Sequence, residues 1–486
     1  MTDREAIPSR RRGPASPVTS MPDILARRLA AALLAAALAL PGLAAEPSAS
    51  ARPLTLDDAL ALAARQSRDL ALARADAGLA DADALSAFSG VLPRLDLTGS
   101  GGRQFLGPTT VTAAFPVIDF AAQTVNFVQQ AVPVPSTDYE AYSLGLRLQQ
   151  PLLAPSTWSQ IGQARATSRA AARTYDEARL AVAFDVTRRF YELLKATRSL
   201  GVLQRAAARS EELVGRSEAL FEAGRAPRSD ALAAKVNLGN DRIAVEQARL
   251  RLDGARADLA VALGQPGDAP LEVVAPAALE GPSLPGGEPP PLDGLVITAR
   301  SHRPTLAAAA AQVEAADAAA SAADRAWSPT ISALVTYDRT GSVATGKDGI
   351  FDDPRRQYTA TAQVVLAWNV FAGRSTEAAQ RRAAISAERA RTSAGKADDG
   401  VAREVANARQ AVLTLTRQVA LAADNLVAAQ QGAALARDRL EAGAASQLEV
   451  RDAALKLTQA ELALLQARID HAVAAADLGR AVGGTY

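Results

Sequence analysis

The chain has 486 residues, 53 basic and 52 acidic side chains, and no cysteine. So even a charge balance gives no bias toward polyanions, which argues against nucleic acid as a partner. The missing cysteines exclude disulfides, thiolate metal sites, cysteine nucleophiles and the bacterial lipid anchor on a Cys after the signal sequence.

The N-terminus has the layout of an export signal. Arg27 and Arg28 precede an apolar run, Leu29–Leu40, which Pro41 stops, and small residues follow at Gly42, Ala44 and Ala45. The run falls short of the roughly 20 residues a helix needs to span a bilayer. Residues 1–45 are therefore expected to be a leader, with Met1 or Met21 as its start. No later segment reaches spanning length, so any membrane insertion must use strands.

Residues 54–90 carry one helical pattern, opened by Thr55, Asp57 and Asp58 and closed by Gly90 and Pro93. Leu92–Gly99 then alternates Leu95 and Leu97 against Arg94, Asp96 and Thr98, the period of a strand. A long polar, Pro-containing loop is expected over about 106–138. A second strand follows, with Tyr142, Leu144, Leu146 and Leu148 on one face and Ser143, Gly145, Arg147 and Gln149 on the other.

Next come two long helical segments with a seven-residue seam. Val186, Leu193, Leu200, Ala207, Val214 and Phe221 mark the outgoing one, and Val236, Ile243, Leu250 and Ala257 the return. A sustained seven-residue period means helices supercoiling on neighbours. An outgoing helix of roughly 65 residues would be a rod of roughly 100 Å, which no ordinary globular enzyme needs. Gln265–Pro291 is rich in Pro and Gly and is expected to be an irregular connector.

The chain then repeats itself. A helix is followed by strands at Thr330–Asp338 and Tyr358–Asn369, which flank a loop, Gly341–Pro354. A second seam runs through Val405, Val412, Val419, Leu426, Ala433 and Leu440, and its return through Leu455, Leu462, Ile469 and Ala476, at an offset of about 219 residues. The expected organisation is a leader (1–45), a first repeat (46–264), a connector (265–292) and a second repeat (293–486).

Strands of this kind suit either a half-buried soluble sheet or a transmembrane barrel. The aromatics favour the membrane. Trp158, Trp327 and Trp368, with Phe88 and Phe371, all fall at junctions between strand and helix, where a membrane interface would lie. Four strands cannot close a barrel, since the smallest need about eight, and lipid tolerates no open strand edge. Several copies must then share one barrel.

Duplication, strand pairs, rods and the turns Phe221-Glu222-Ala223-Gly224 and Arg439-Leu440-Glu441-Ala442-Gly443 together resemble the TolC-like outer membrane efflux proteins, over about residues 54–483. That resemblance implies a mixed α/β membrane protein. Four strands per protomer would enter a trimeric 12-stranded β-barrel, continued by a periplasmic α-helical barrel. It implies a homotrimer in outer membrane lipid, joined to a periplasmic adaptor and an inner-membrane pump of RND or ABC type. It places the pore aperture at Ser229, Asp230, Glu449 and Asp452, and adaptor contacts at Leu220, Phe221, Glu222, Gly224, Arg439, Leu440, Glu441 and Gly443. Ala444 and Ala445 stand where the family usually has a basic latch, leaving Arg451 or Arg225 as substitutes.

Neither His302 nor His471 sits in a metal-ligand spacing, and no phosphate-binding glycine loop joins strand to helix. No cofactor, metal or catalytic residue is expected. The competing reading is a periplasmic coiled-coil scaffold carrying a small soluble sheet.

Overall fold

The computed structural model describes residues 53–119, 123–276, 279, 289–346, 349–351 and 358–484. The leader and part of the connector lie outside the described residues. The first repeat runs α1 (Leu56–Gln66), α2 (Arg68–Ser89), β1 (Arg94–Leu106), β2 (Thr109–Asp119), β3 (Thr124–Val134), β4 (Thr137–Leu153), α3 (Pro155–Glu222) and α4 (Arg228–Ala262). The second runs α5 (Leu292–His302), α6 (Pro304–Asp324), β5 (Thr330–Gly341), β6 (Tyr358–Ala367), α7 (Ser375–Glu441) and α8 (Gln447–Val482).

The rods are as long as the seam demands. Helix α3 has 68 residues and α7 has 67. Their apolar cores are built alike. One cluster gathers Ala59 and Ala63 of α1, Val186 and Leu193 of α3, and Leu259 at the end of α4 with Leu263 just beyond it. The other gathers Leu295 and Ala299 of α5, Val405 and Val412 of α7, and Leu478 and Val482 of α8. In each, two short-helix residues plug the gap between an outgoing helix and the end of its return.

The return seam behaves differently. Val236, Ile243 and Leu250 of α4 are exposed, Leu250 by 74%. A seven-residue apolar stripe with nothing against it is half of a coiled-coil contact.

Residues 54–90 are not one helix. The chain breaks at Ser67, whose side chain accepts from the Leu70 N–H and caps α2. The same break recurs at Arg303, before Pro304. Both breaks receive the end of a return helix. Gly264 (φ +76°) lies against Gln66, and Gly483 (φ +90°) against His302 and Arg303.

Four strands form one antiparallel sheet in the order β1-β4-β5-β6, leaving β1 and β6 as open edges. Register assembles one face from Leu95, Leu97, Leu146, Leu148, Val335, Val364 and Leu366, several of them well exposed. The opposite face carries Asp96, Thr98, Ser143, Arg147, Thr336, Asp338 and Gln363. Tyr142, Tyr337 and Tyr358 cluster toward the end of the apolar face remote from the helices, with Tyr337 stacked on Tyr358 at 5.5 Å.

The region 106–138 corrects the expected loop. It holds a second sheet, the β2–β3 hairpin, in line with β1 and β4. Pairing passes from Leu106↔Thr137 to Thr109↔Val134 without a register slip. Proline hid it from the sequence pattern. Proline lacks an N–H and fits only where the amide would face away from the partner strand. The pairs Thr110↔Pro133 and Pro116↔Phe127 lie an even number of residues apart, so both prolines share one set of pairs, and one outward-facing set accommodates both.

Buried charge chemistry also shapes the helical body. His471 on α8 is 1% exposed, and neither ring nitrogen has a hydrogen-bond partner among the described residues. Burial lowers its pKa, because the charged imidazolium is disfavoured there. Stability held by the neutral ring is complete above the unfolded pKa of about 6.5 and falls as pH drops below it. The melting temperature should therefore decline between about pH 7.5 and 5, and His471→Leu should flatten that decline. Parallel slopes for the two proteins would refute this.

Candidate functional site at the helical tips

Both long hairpins close with the same motif. Just past the end of helix α3 stands Gly224 (φ +68°), with Gly224 N–H donating to Phe221 C=O at 2.8 Å and Arg225 N–H to Leu220 C=O at 2.8 Å. Just past the end of helix α7 stands Gly443 (φ +73°), with Gly443 N–H donating to Leu440 C=O at 3.1 Å and Ala444 N–H to Arg439 C=O at 2.7 Å. Glycine takes this left-handed conformation without a Cβ penalty, and the paired bonds satisfy the last carbonyls of each helix. Leu220, Phe221, Glu222 and Gly224 thus lie together on one tip, and Arg439, Leu440, Glu441 and Gly443 on the other. Phe221 is exposed, and Glu441 faces Arg216 of the first hairpin at 3.6 Å.

The four aperture candidates begin the two return helices. The Ser229 hydroxyl donates to Asp230 at 3.2 Å. Ser446 caps α8 by accepting from the Glu449 N–H. Glu449 is bound by Arg439 at 2.6 Å, and Asp452 by Lys456 at 2.7 Å. Asp230 pairs with no cation among the described residues. Of the three aperture carboxylates, Asp230 is thus the one left without a neutralising partner among the described residues.

Asp230 also borders a groove of about 270 Å³ between the hairpins, lined by Ser210, Leu213, Asn237, Gln447 and Arg451 among others. A clasp crosses it that sequence reasoning missed. Arg451 of α8 holds Asp241 of α4 through two bonds, 2.6 and 3.0 Å, and reaches Ser210 of α3 at 2.7 Å. Ser217 bonds Gln447 beside it. Burial alone would raise the Asp241 carboxyl. Hydrogen bonds from Arg451 and Ser210 and the nearby Arg209 charge outweigh it, so the net shift is downward. Arg451 is thus engaged within its own chain, binding one hairpin to the other. No local pattern could have announced this, because Asp241 lies 210 residues from its partner.

At the opposite end of the rods, Trp158 opens α3, Trp327 precedes β5 and Trp368 follows β6, all exposed together with Phe371. The Trp368 indole N–H donates to the Trp327 carbonyl at 3.0 Å. Phe88 differs: it is half-buried beneath the Arg165 guanidinium. Among the described residues, no helix is long and apolar enough to cross a membrane, and no cluster of side chains could hold a metal ion.

The sequence matches the outer membrane efflux protein family over residues 59–265 and 295–484. Among solved structures the chain is similar to a membrane protein from Pseudomonas aeruginosa, at 22% identity and TM-score 0.72, covering 88% of this chain and 93% of that one. It is similar to the CmeC outer membrane channel of Campylobacter jejuni, at 16% identity and TM-score 0.70, covering 89% and 86%. It is also similar to the open state of the MtrE outer membrane channel of Neisseria gonorrhoeae, at 20% identity and TM-score 0.70, covering 88% and 89%. No match emerges among curated protein sequences. At these identities the structural likeness speaks for the fold, and the family match spans both halves of the duplicated architecture. The chain belongs to the outer membrane efflux protein family.

Proposed function

We propose that this protein is the outer membrane exit duct of a tripartite efflux or type I secretion system. It is passive, and its energy comes from an inner-membrane pump of RND or ABC type reached through a periplasmic adaptor. The observation that carries this reading is the four-stranded sheet with an apolar face and two open edges. Lipid demands that every backbone polar group be paired, so β1 and β6 must meet the edges of sister chains. Three copies give twelve strands. The unpartnered stripe Val236, Ile243 and Leu250 supports the same association along the rods. That CmeC and MtrE are outer membrane channels supports the assignment.

In this reading residues 46–264 and 293–486 are two repeats joined by 265–292, and residues 1–45 are removed on export. Helices α3, α4, α7 and α8 cross the periplasm, and their tips meet the adaptor through the Leu220–Gly224 and Arg439–Gly443 turns. The indoles of Trp158, Trp327 and Trp368 sit at the inner interface of the membrane, and Tyr142, Tyr337 and Tyr358 at the outer one. Strand rise and barrel tilt put these two levels roughly 25 Å apart, the height of a lipid-facing band. Around a threefold axis Asp230 becomes a ring of carboxylates that focuses a negative potential, with Ser229, Glu449 and Asp452 beside it.

The purified protein in detergent is expected to have the mass of a trimer and to form cation-preferring channels in planar bilayers. Asp230→Asn should lower the cation preference by roughly threefold or more at unchanged mass. An anion-selective native channel would overturn the aperture assignment. A monomer that stays in solution without detergent and conducts nothing would overturn the duct and favour the scaffold.

A further inference from the structure

The β2–β3 ribbon has no counterpart in the second repeat among the described residues, where β6 follows β5 directly in the order of strands. It continues the β1–β4 ladder past Arg103, which pairs with Asp138, and past Glu140 opposite Arg103. Those charges form a collar beyond the tyrosine level. The ribbon therefore starts outside the hydrocarbon and extends away from it, each strand 11 residues long and so roughly 36 Å in reach.

Its composition does not suit a water-exposed projection. Between Gln104 and Thr137 the sequence has one charged residue, Asp119. One face presents Val111, Phe115, Val117, Val128 and Val132, and the other presents Pro116, Ile118, Val125 and Phe127. Phe115 is 44% exposed and Phe127 70%. A lone two-stranded hairpin is marginally stable in water at best, so these faces need cover.

Three features select the occupant. The charged collar separates the ribbon from the lipid interior. Pro116 on one strand and Pro133 on the other interrupt both outer edges, which opposes further strand pairing. Finally, both faces carry exposed apolar side chains, with only uncharged polar residues such as Gln130 on one and Gln129 on the other between them. A surface resting on lipid needs one such face, whereas a member of a cyclic trimer touches two different neighbours and needs two. The ribbon is also rooted at the right place, since β1 is an open edge of the sheet and so lies at the proposed subunit junction.

We propose that the three ribbons of one trimer pack face to opposite face, Phe115 and its neighbours against Phe127 and its neighbours of the next copy, into a cap above the barrel. This rests on the trimeric duct reading. Held together by a common barrel, the ribbons meet at high effective concentration, so modest apolar contact suffices.

The absence of native cysteine makes the test clean. In the double variant Phe115→Cys/Phe127→Cys, the two thiols of one chain point to opposite faces and cannot bridge each other. Mild oxidation of the native assembly should yield covalent trimers on a denaturing gel, while either single variant stays mostly unlinked. Val111→Cys/Ala131→Cys repeats the design with smaller changes of volume. A protein with trimeric mass that fails to cross-link in both double variants overturns the cap and leaves the duct standing. In the single variant Phe115→Cys, a bimane label attached to the new thiol should be insensitive to nitroxide-bearing phospholipid in liposomes. Quenching of that label would put the face on lipid and also overturn the cap. A monomeric mass in detergent overturns the underlying trimer instead.

Discussion

Replacing Arg303 with alanine is expected to destabilise the folded chain by about 3 kcal/mol, the lower end of the range for breaking a buried ion pair. Arg303 is 4% exposed at the α5–α6 break. Its guanidinium holds Glu177 of α3 at 2.9 and 3.1 Å, Glu404 of α7 at 3.0 Å and the Arg480 carbonyl of α8 at 2.6 Å. One side chain thus ties the first repeat to both long helices of the second. Its removal strands Glu177, which is largely covered. Glu404 is more open and keeps Arg480 at 3.8 Å, which sets the loss at the lower end. Arg303→Lys should recover little, since the guanidinium meets these groups from three separate nitrogens, whereas an ammonium gathers its donors on one. Thermal unfolding in detergent measures this. For a chain of this length such a loss lowers the melting point by about 3 °C, and a change under about 1 °C would refute it.

The second large effect is steric. Gly264→Ala would place a Cβ 2.2 Å from the Gln66 carbonyl oxygen and 2.9 Å from its carbon. The left-handed conformation alone costs an alanine about 1–2 kcal/mol. Here the obstacle is backbone, so no rotamer change relieves it, and a total above about 3 kcal/mol is expected. Gly483→Ala meets His302 carbon at 2.9 Å and Arg303 nitrogen at 3.0 Å and should lose somewhat less. Gly224→Ala and Gly443→Ala share the positive φ but meet open space, so they should lose only the conformational part. The order Gly264, then Gly483, then the two tip glycines is the testable content. Equal losses at all four positions would refute the steric account.

The rods were legible in the sequence because a seven-residue seam is a long-range regularity carried by many residues. Val186, Leu193, Val405 and Val412 are buried as that seam requires. The strand alternation was equally clear where polar and apolar residues differ sharply, as from Tyr142 to Gln149. Two features of the backbone escaped for opposite reasons. The break at Ser67 has no proline to mark it, unlike its counterpart before Pro304, and is visible only once Gly264 is seen packed against it. The β2–β3 ribbon was masked by prolines that normally end strands but are harmless where the amide points outward. At the tips, the turn motifs stood out through their glycines. The Arg451–Asp241–Ser210 clasp did not, because it is assembled from three helices distant in sequence.

The two open sheet edges have a consequence for inheritance. In the proposed assembly each barrel is sealed only by its neighbours' strands, so a copy with a damaged β1 or β6 does not fail alone. It withdraws sound copies with it. Edge-strand variants should therefore behave as dominant-negative alleles when expressed beside the intact gene, whereas lesions that stop a chain before export should be recessive.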